Sequence, residues 1–198
     1  MNSAVRKLPP LMTVEEFYDW PGDGTGAIYE LVDGVPRVQD FPSDAHGAIQ
    51  NRLANIVTRH LDTSSAGCRM VINPGIKPRL QADWNHRIPE LGVTCTPNRA
   101  GVREFPDAFL LIEVLSPSNV ADTWGNIALY ATVPTVREIL VVDSQKVEAK
   151  ILRRSADGNW PPNPEVITLG GTIRLATIDL EFPLLEVYRD TYLAGGGA

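Results

Sequence analysis

Apolar residues at Ile49, Leu53, Ile56, Val57 and Leu61 repeat at three- and four-residue steps, so the chain from Asp44 to Leu61 is predicted to be a helix, with Ser43 or Asp44 as its cap. Upstream, Thr13-Val14-Glu15-Glu16 has the capping-box pattern and predicts a short helix ending near Pro21. Between them, Ile28 to Val32 and Val35 to Gln39 flank Asp33-Gly34, a dipeptide suited to the positive φ angles of a type I′ turn, and predict a hairpin. Strands are expected at Met70 to Ile76, Ile88 to Cys95 and Ala108 to Leu115, separated by connections rich in Pro, Gly and Asn. A second helix, Ala121 to Ala131, precedes a strand at Val136 to Val142. The remainder, with turns at Asp157-Gly158 and Gly170-Gly171, reads as an antiparallel extension ending in Leu184 to Tyr188. One domain over residues 1–194 and a disordered Gly-rich tail over 195–198 are expected, with neither repeat nor linker.

Composition narrows the class. The 198 residues, 43% hydrophobic, suffice for one buried core. No apolar run reaches the roughly 18 residues of a membrane span, and Met1 to Leu11 lacks an apolar h-region, so a soluble cytoplasmic protein is expected. Cys68 and Cys95 have neither metal-ligand spacing nor disulfide density and are read as two buried or half-buried thiols. The net charge of −6 has the wrong sign for a protein held to nucleic acid by diffuse electrostatics alone. It leaves open a metal-dependent nuclease, whose carboxylates gather at one site and are offset there by cations.

The chemistry begins with Phe109 to Leu115, apolar on both faces except for Glu113. A buried carboxylate must be protonated or paired, and its partner is either an arginine at the strand's end or a divalent metal. Strand alternation puts Phe109, Leu111, Glu113 and Leu115 on one face, so Leu115 stands where an E-x-K strand carries its lysine. Pro89-Glu90 and Pro106-Asp107 both offer a second carboxylate. Asp107 lies six residues before Glu113, roughly 20 Å on one extended strand. That is too far to share an ion whose oxygen ligands sit within ~2.6 Å. Glu90, on the preceding strand, falls opposite Glu113 in an antiparallel pair and is the better choice.

The segments Tyr29-Glu30-Leu31-Val32-Asp33-Gly34, His46, Pro89-Glu90, Ile112-Glu113-Val114-Leu115-Ser116-Pro117-Ser118, Asp122 with Tyr130, and Val141-Val142-Asp143 resemble, in that order, the Uma-two family of restriction-endonuclease-like proteins. The likeness covers about residues 12 to 190, and the E-V-L-S-P-S block is its most specific part. It implies an α/β fold of the PD-(D/E)XK type: a mixed central sheet flanked by helices, with antiparallel C-terminal strands. It also implies that Glu90 and Glu113 hold Mg²⁺ or Mn²⁺ while a lysine positions the attacking water. In that family the lysine stands on the following helix, four residues after an Asp that matches Asp122, and here the position is Asn126. Glu90 replaces the family's Asp, a second departure.

Asn126 still donates a hydrogen bond but brings no positive charge. Lys77 or Arg87 would restore one, although a basic strand residue ordinarily faces solvent. The resemblance also marks Glu30, as an outer or third carboxylate or a surface-paired hairpin residue, and His46, as a substrate or ligand contact or a solvated helix-start histidine. Asp122 is read as a helix cap. Ser116 and Ser118 form a turn without a histidine at activating spacing, which argues against a serine hydrolase. The resulting expectation is a Mg²⁺-dependent DNA endonuclease with a degenerate site, homodimeric if it cuts duplex. The alternative is an inactive nuclease fold serving as a nucleic-acid-binding or regulatory module.

Overall fold

The structure, a computed structural model, describes residues 11–39, 41–64, 67–117 and 119–195. Helix α1 (Val14–Asp19) opens with the expected capping box: the Glu16 amide donates to Thr13 Oγ1 and the Thr13 amide to Glu16 Oε2, at 3.3 and 2.7 Å. Strands β1 (Tyr29–Val32) and β2 (Val35–Val38) form the hairpin. Asp33 and Gly34 turn it at φ 49° and 80°, the type I′ signature. Helix α2 (Asp44–Thr63) is capped by Ser43 and buries Ile49, Leu53, Val57 and Leu61.

Six further strands build the central sheet, in the order β3 (Arg69–Ile72), β4 (Leu91–Thr94), β5 (Leu110–Leu115), β6 (Glu138–Asp143), β7 (Glu148–Arg153), β8 (Glu165–Thr168). All neighbours are antiparallel except β5 and β6, which are parallel and joined through helix α3 (Val120–Tyr130). The sheet is therefore mixed and helix-flanked, in an α/β fold. Strand β3 ends sooner than its hydrophobic pattern suggests, because Asn73 turns to φ 51° and Pro74 brings no amide hydrogen. Pro89 likewise delays β4 to Leu91.

Alternation along β5 divides the core. Leu110, Ile112 and Val114 join α2 and the C-terminal elements, while Leu111 and Leu115 join Ile127 and Tyr130 of α3. Glu113 shares the second face. Phe109, just outside the strand, packs with the first cluster instead of the face its spacing suggests. The β1–β2 hairpin is tied to the sheet through an isolated bridge, Leu31 to His86, and Ile76 pairs Arg87 beside it.

A hairpin of β9 (Thr172–Leu175) and β10 (Leu180–Pro183) and a 3-10 helix, Leu184–Tyr188, complete the extension. Gly195 ends a 3-10 turn, Tyr192–Gly195; the rest of the expected tail, 196–198, lies outside the described residues. The cysteine reading is corrected. Cys68 and Cys95 form a disulfide, because the β3–β4 register that pairs Arg69 with Thr94 sets them opposite each other one step beyond the ladder. Cys95 is exposed, not buried. No helix among the described residues is long and apolar enough to cross a membrane.

Candidate active site

The β4–β5 ladder pairs Leu91 with Ile112, so one step further along the register Glu90 faces Glu113. Burial and the Glu90 charge hold the Glu113 carboxyl well above the usual carboxylate range, Glu30 adding to the rise. Two groups oppose it: the Tyr130 hydroxyl, which donates to Oε1 at 2.8 Å, and the Glu90 amide. Among the described residues, no arginine pairs with Glu113. Glu90 and, more weakly, Glu30 thus both act on Glu113, and the hydrogen bonds from Tyr130 and the Glu90 amide oppose the rise without cancelling it.

Two residues one helical turn apart hold Glu90. His46 Nε2 lies 2.8 Å from Oε1 and Gln50 Nε2 2.5 Å from Oε2. The spacing of four puts both on one face of α2. On the other side of the ring, His46 Nδ1 lies 2.8 Å from the Ser116 hydroxyl, so the imidazole bridges Glu90 and the turn after β5. His46 is therefore buried between Glu90 and the turn after β5, not solvated at the helix start. Gln50 also donates to Asn73 Oδ1, at 3.1 Å.

Glu30 enters from the hairpin. Its Oε1 accepts from the Ile88 amide at 2.7 Å, Asn126 and Gln39 hydrogen-bond its carboxylate, and Arg87 Nη1 stands 3.8 Å from Oε2. Burial raises its pKa and these four contacts oppose the rise. Asn126 and Tyr130 repeat the four-residue logic on α3, one reaching Glu30 and the other Glu113.

Arg87 faces inward, contrary to the solvent-facing expectation. Its side chain is 8% exposed, held by Asn85 Oδ1 at 2.8 Å, because the bridges at His86 and Arg87 clamp this stretch between the hairpin and Ile76. Lys77 is turned away toward Glu15 and Glu104, at 3.7 and 3.9 Å. Asp107 accepts from Thr96 Oγ1, in the loop after β4. Asp122 is corrected from cap to first-turn residue, since Asn119 occupies the cap and its Oδ1 accepts from the Ser116 amide. Ser118 lies outside the described residues. Glu30, His46, Glu90, Glu113 and Asn126 are thus brought together. Sequence reasoning missed Gln50, visible in principle as His46 plus four, gave Tyr130 no role, and turned Arg87 outward.

Among the described residues, no three His, Cys, Asp or Glu side chains are gathered closely enough to hold a metal ion unaided. A cation bound between Glu90 and Glu113 would complete its shell with water, backbone or substrate oxygens, as Mg²⁺ commonly does.

A family model, Uma2, described as "Putative restriction endonuclease", matches residues 14–184. The chain belongs to the Uma2 family. It is 31% identical over 184 residues to the uncharacterized protein slr1290 of Synechocystis sp., covering 91% of this chain and 93% of that one. In solved structures, the Uma2 fold is matched by the crystal structure of "a putative nuclease belonging to DUF820" from Anabaena variabilis, with a TM-score of 0.70 at 15% identity. The match covers 89% of this chain and 97% of that one.

Proposed function

We propose that this Uma2 chain is a divalent-metal-dependent DNA endonuclease whose metal is held by Glu90 and Glu113, and whose rate is reduced by Asn126 at the lysine position. The observation that carries the reading is the buried Glu113 facing Glu90 across the β4–β5 ladder, with Glu30 near enough to raise its pKa further. Burial and the Glu90 charge disfavour an ionised Glu113, and a divalent ion between the two would reverse the sign of that interaction. Hard oxygen donors suit Mg²⁺ or Mn²⁺, which is the fit the donor set offers.

When bound, such an ion would polarise a phosphate oxygen and lower the pKa of a coordinated water. The rest falls to the chain. His46 and Gln50 fix both Glu90 oxygens, and Tyr130 fixes one oxygen of Glu113, so both carboxylates are held in place on the facing strands. Asn126 offers a neutral donor where a lysine would steady hydroxide and the developing phosphorane charge. Arg87 is the cation closest to that role, and its reach toward Glu30 supports retained, weakened activity over a dead site.

The test is supercoiled-plasmid cleavage with Mg²⁺ or Mn²⁺ by wild type and Asn126→Lys. Nicking by wild type, raised on the order of a hundredfold or more by the lysine, is expected. Cutting by Asn126→Lys alone would make the natural protein a disabled nuclease fold, and cutting by neither would remove the nuclease reading.

A further inference from the structure

A second feature lies on the same sheet face as the carboxylates. Along β4, Glu90 and Gly92 point the same way, and Gly92 pairs with Leu111 as Glu90 faces Glu113. Gly92 has no side chain, and a Cβ there would lie 2.8 Å from Pro74 Cγ and 2.9 Å from Phe105 Cε1, so both residues rest directly on the strand beside the carboxylate pair. Together with the outward strand β3 and the loop after β4, they line an open groove of about 580 Å³.

The groove borders the site at Asn73. Asn73 stands at its inner end, where its amide donates to the Glu90 carbonyl and its side chain accepts from the same Gln50 that holds the Glu90 carboxylate. From Asn73 the wall runs along β3 through Val71 to Arg69, four residue steps and roughly 13 Å, about four base steps of a duplex strand.

Its charge is asymmetric in availability. The two acids on the wall are engaged, Asp107 by the Thr96 hydroxyl and Glu104 by Lys77. Of the three arginines, Arg103 is paired with Asp19 at 2.8 Å. Arg69 lays its guanidinium over the Phe105 ring, 5.3 Å from the centroid, and donates from Nε to the Thr96 carbonyl. Arg99 forms no ion pair among the described residues. In a chain of net charge −6, three arginines against two engaged acids give this wall a local cationic excess.

We infer that this groove carries the phosphodiester backbone of the nucleic-acid strand entering the carboxylate site, with Arg69 and Arg99 as its phosphate contacts. The inference rests on the nuclease reading and adds the path of the strand.

Fluorescence anisotropy tests it, using a labelled 30-mer DNA, single-stranded and duplex, with the full chain in EDTA so that nothing is cut, across a salt series. Each phosphate contact contributes about 0.9 to the slope of log K against log salt. Arg99→Ala and Arg69→Ala are each expected to lower the slope by about one and to weaken binding on the order of tenfold at 0.1 M salt, uniformly across sequences. Arg174→Ala, paired with Glu181 on the β9–β10 hairpin, should leave both unchanged. Because Arg69 also covers Phe105, Arg69→Lys serves as its partner variant: it keeps the charge, so it should keep the slope. Wild-type binding with an unchanged slope in Arg99→Ala and Arg69→Ala would overturn the groove while leaving the nuclease reading intact. Absence of DNA binding in both forms would overturn the groove, and plasmid cleavage by the same preparation would then decide the nuclease reading separately.

Discussion

His86 is 6% exposed, and neither of its ring nitrogens has a hydrogen-bond partner among the described residues. It is packed against Phe17 and Tyr18, with ring centroids 5.6 and 5.3 Å away, and against Gly75, where a Cβ would come within 2.4 Å of Nε2. Burial, and secondarily the charge of Lys77, push its pKa down from 6.5 to about 4. A folded pKa below the unfolded one means that the unfolded chain binds the extra proton first. Stability from this group is therefore complete above about pH 6.5 and is lost as pH falls toward 4. Linkage gives a loss of about 2 kcal/mol between pH 7 and pH 5, at 1.36 kcal/mol per unit. For a domain of this size that is a fall in Tm on the order of 4–8 °C. Glu113 and Glu30 act in the opposite sense, since their raised pKa values favour the folded state at acid pH. The His86 contribution is thus read as a difference: thermal unfolding by circular dichroism at pH 7 and pH 5, for wild type and His86→Leu. The variant should lose several degrees less on acidification than wild type. An equal drop in both proteins would refute the reasoning, because the proton penalty would then lie elsewhere.

Tyr130→Phe removes the donor to Glu113 and leaves a buried carboxyl oxygen unpaired, so a loss of about 1–3 kcal/mol is expected in urea unfolding. Arg87→Met should lower plasmid cleavage by wild type more than it lowers Tm, since the cation nearest Glu30 is removed while the stem volume is kept; equal cleavage would end its role. The Cys68–Cys95 bond closes a chain separation of 27 residues, for which loop entropy gives about 3–4 kcal/mol. Dithiothreitol should therefore lower the Tm of wild type and leave Cys95→Ser unchanged, and an intact mass without the loss of two hydrogens would contradict the bond.

Local signals carried most of the fold. The Thr13 box, the Asp33-Gly34 turn and the helical repeat of α2 each specify their element from within a few residues, and the structure contains all three. The placement of Glu90 opposite Glu113 was also legible, because strand geometry alone disqualified Asp107. What stayed hidden depends on register or on packing between distant segments. The direction of Arg87 follows from the bridges Leu31–His86 and Ile76–Arg87, which join residues far apart in the chain. The disulfide follows from the β3–β4 register, and the Tyr130 contact from how α3 lies on β5. Gln50 was in reach, but a glutamine on a helix has no chemistry of its own until the carboxylate it holds is known.

The claim on which the account turns is that Glu90 and Glu113 together hold a divalent cation. Titration of the metal-free protein with Mn²⁺, followed by the loss of the free-ion electron paramagnetic resonance signal, addresses it without requiring any DNA or turnover. The account predicts one saturable site in wild type that Mg²⁺ competes for, lost in Glu113→Gln and weakened in Gln50→Ala, whose Glu90 is no longer held. Undiminished Mn²⁺ binding in Glu113→Gln, with the variant folded, would contradict it.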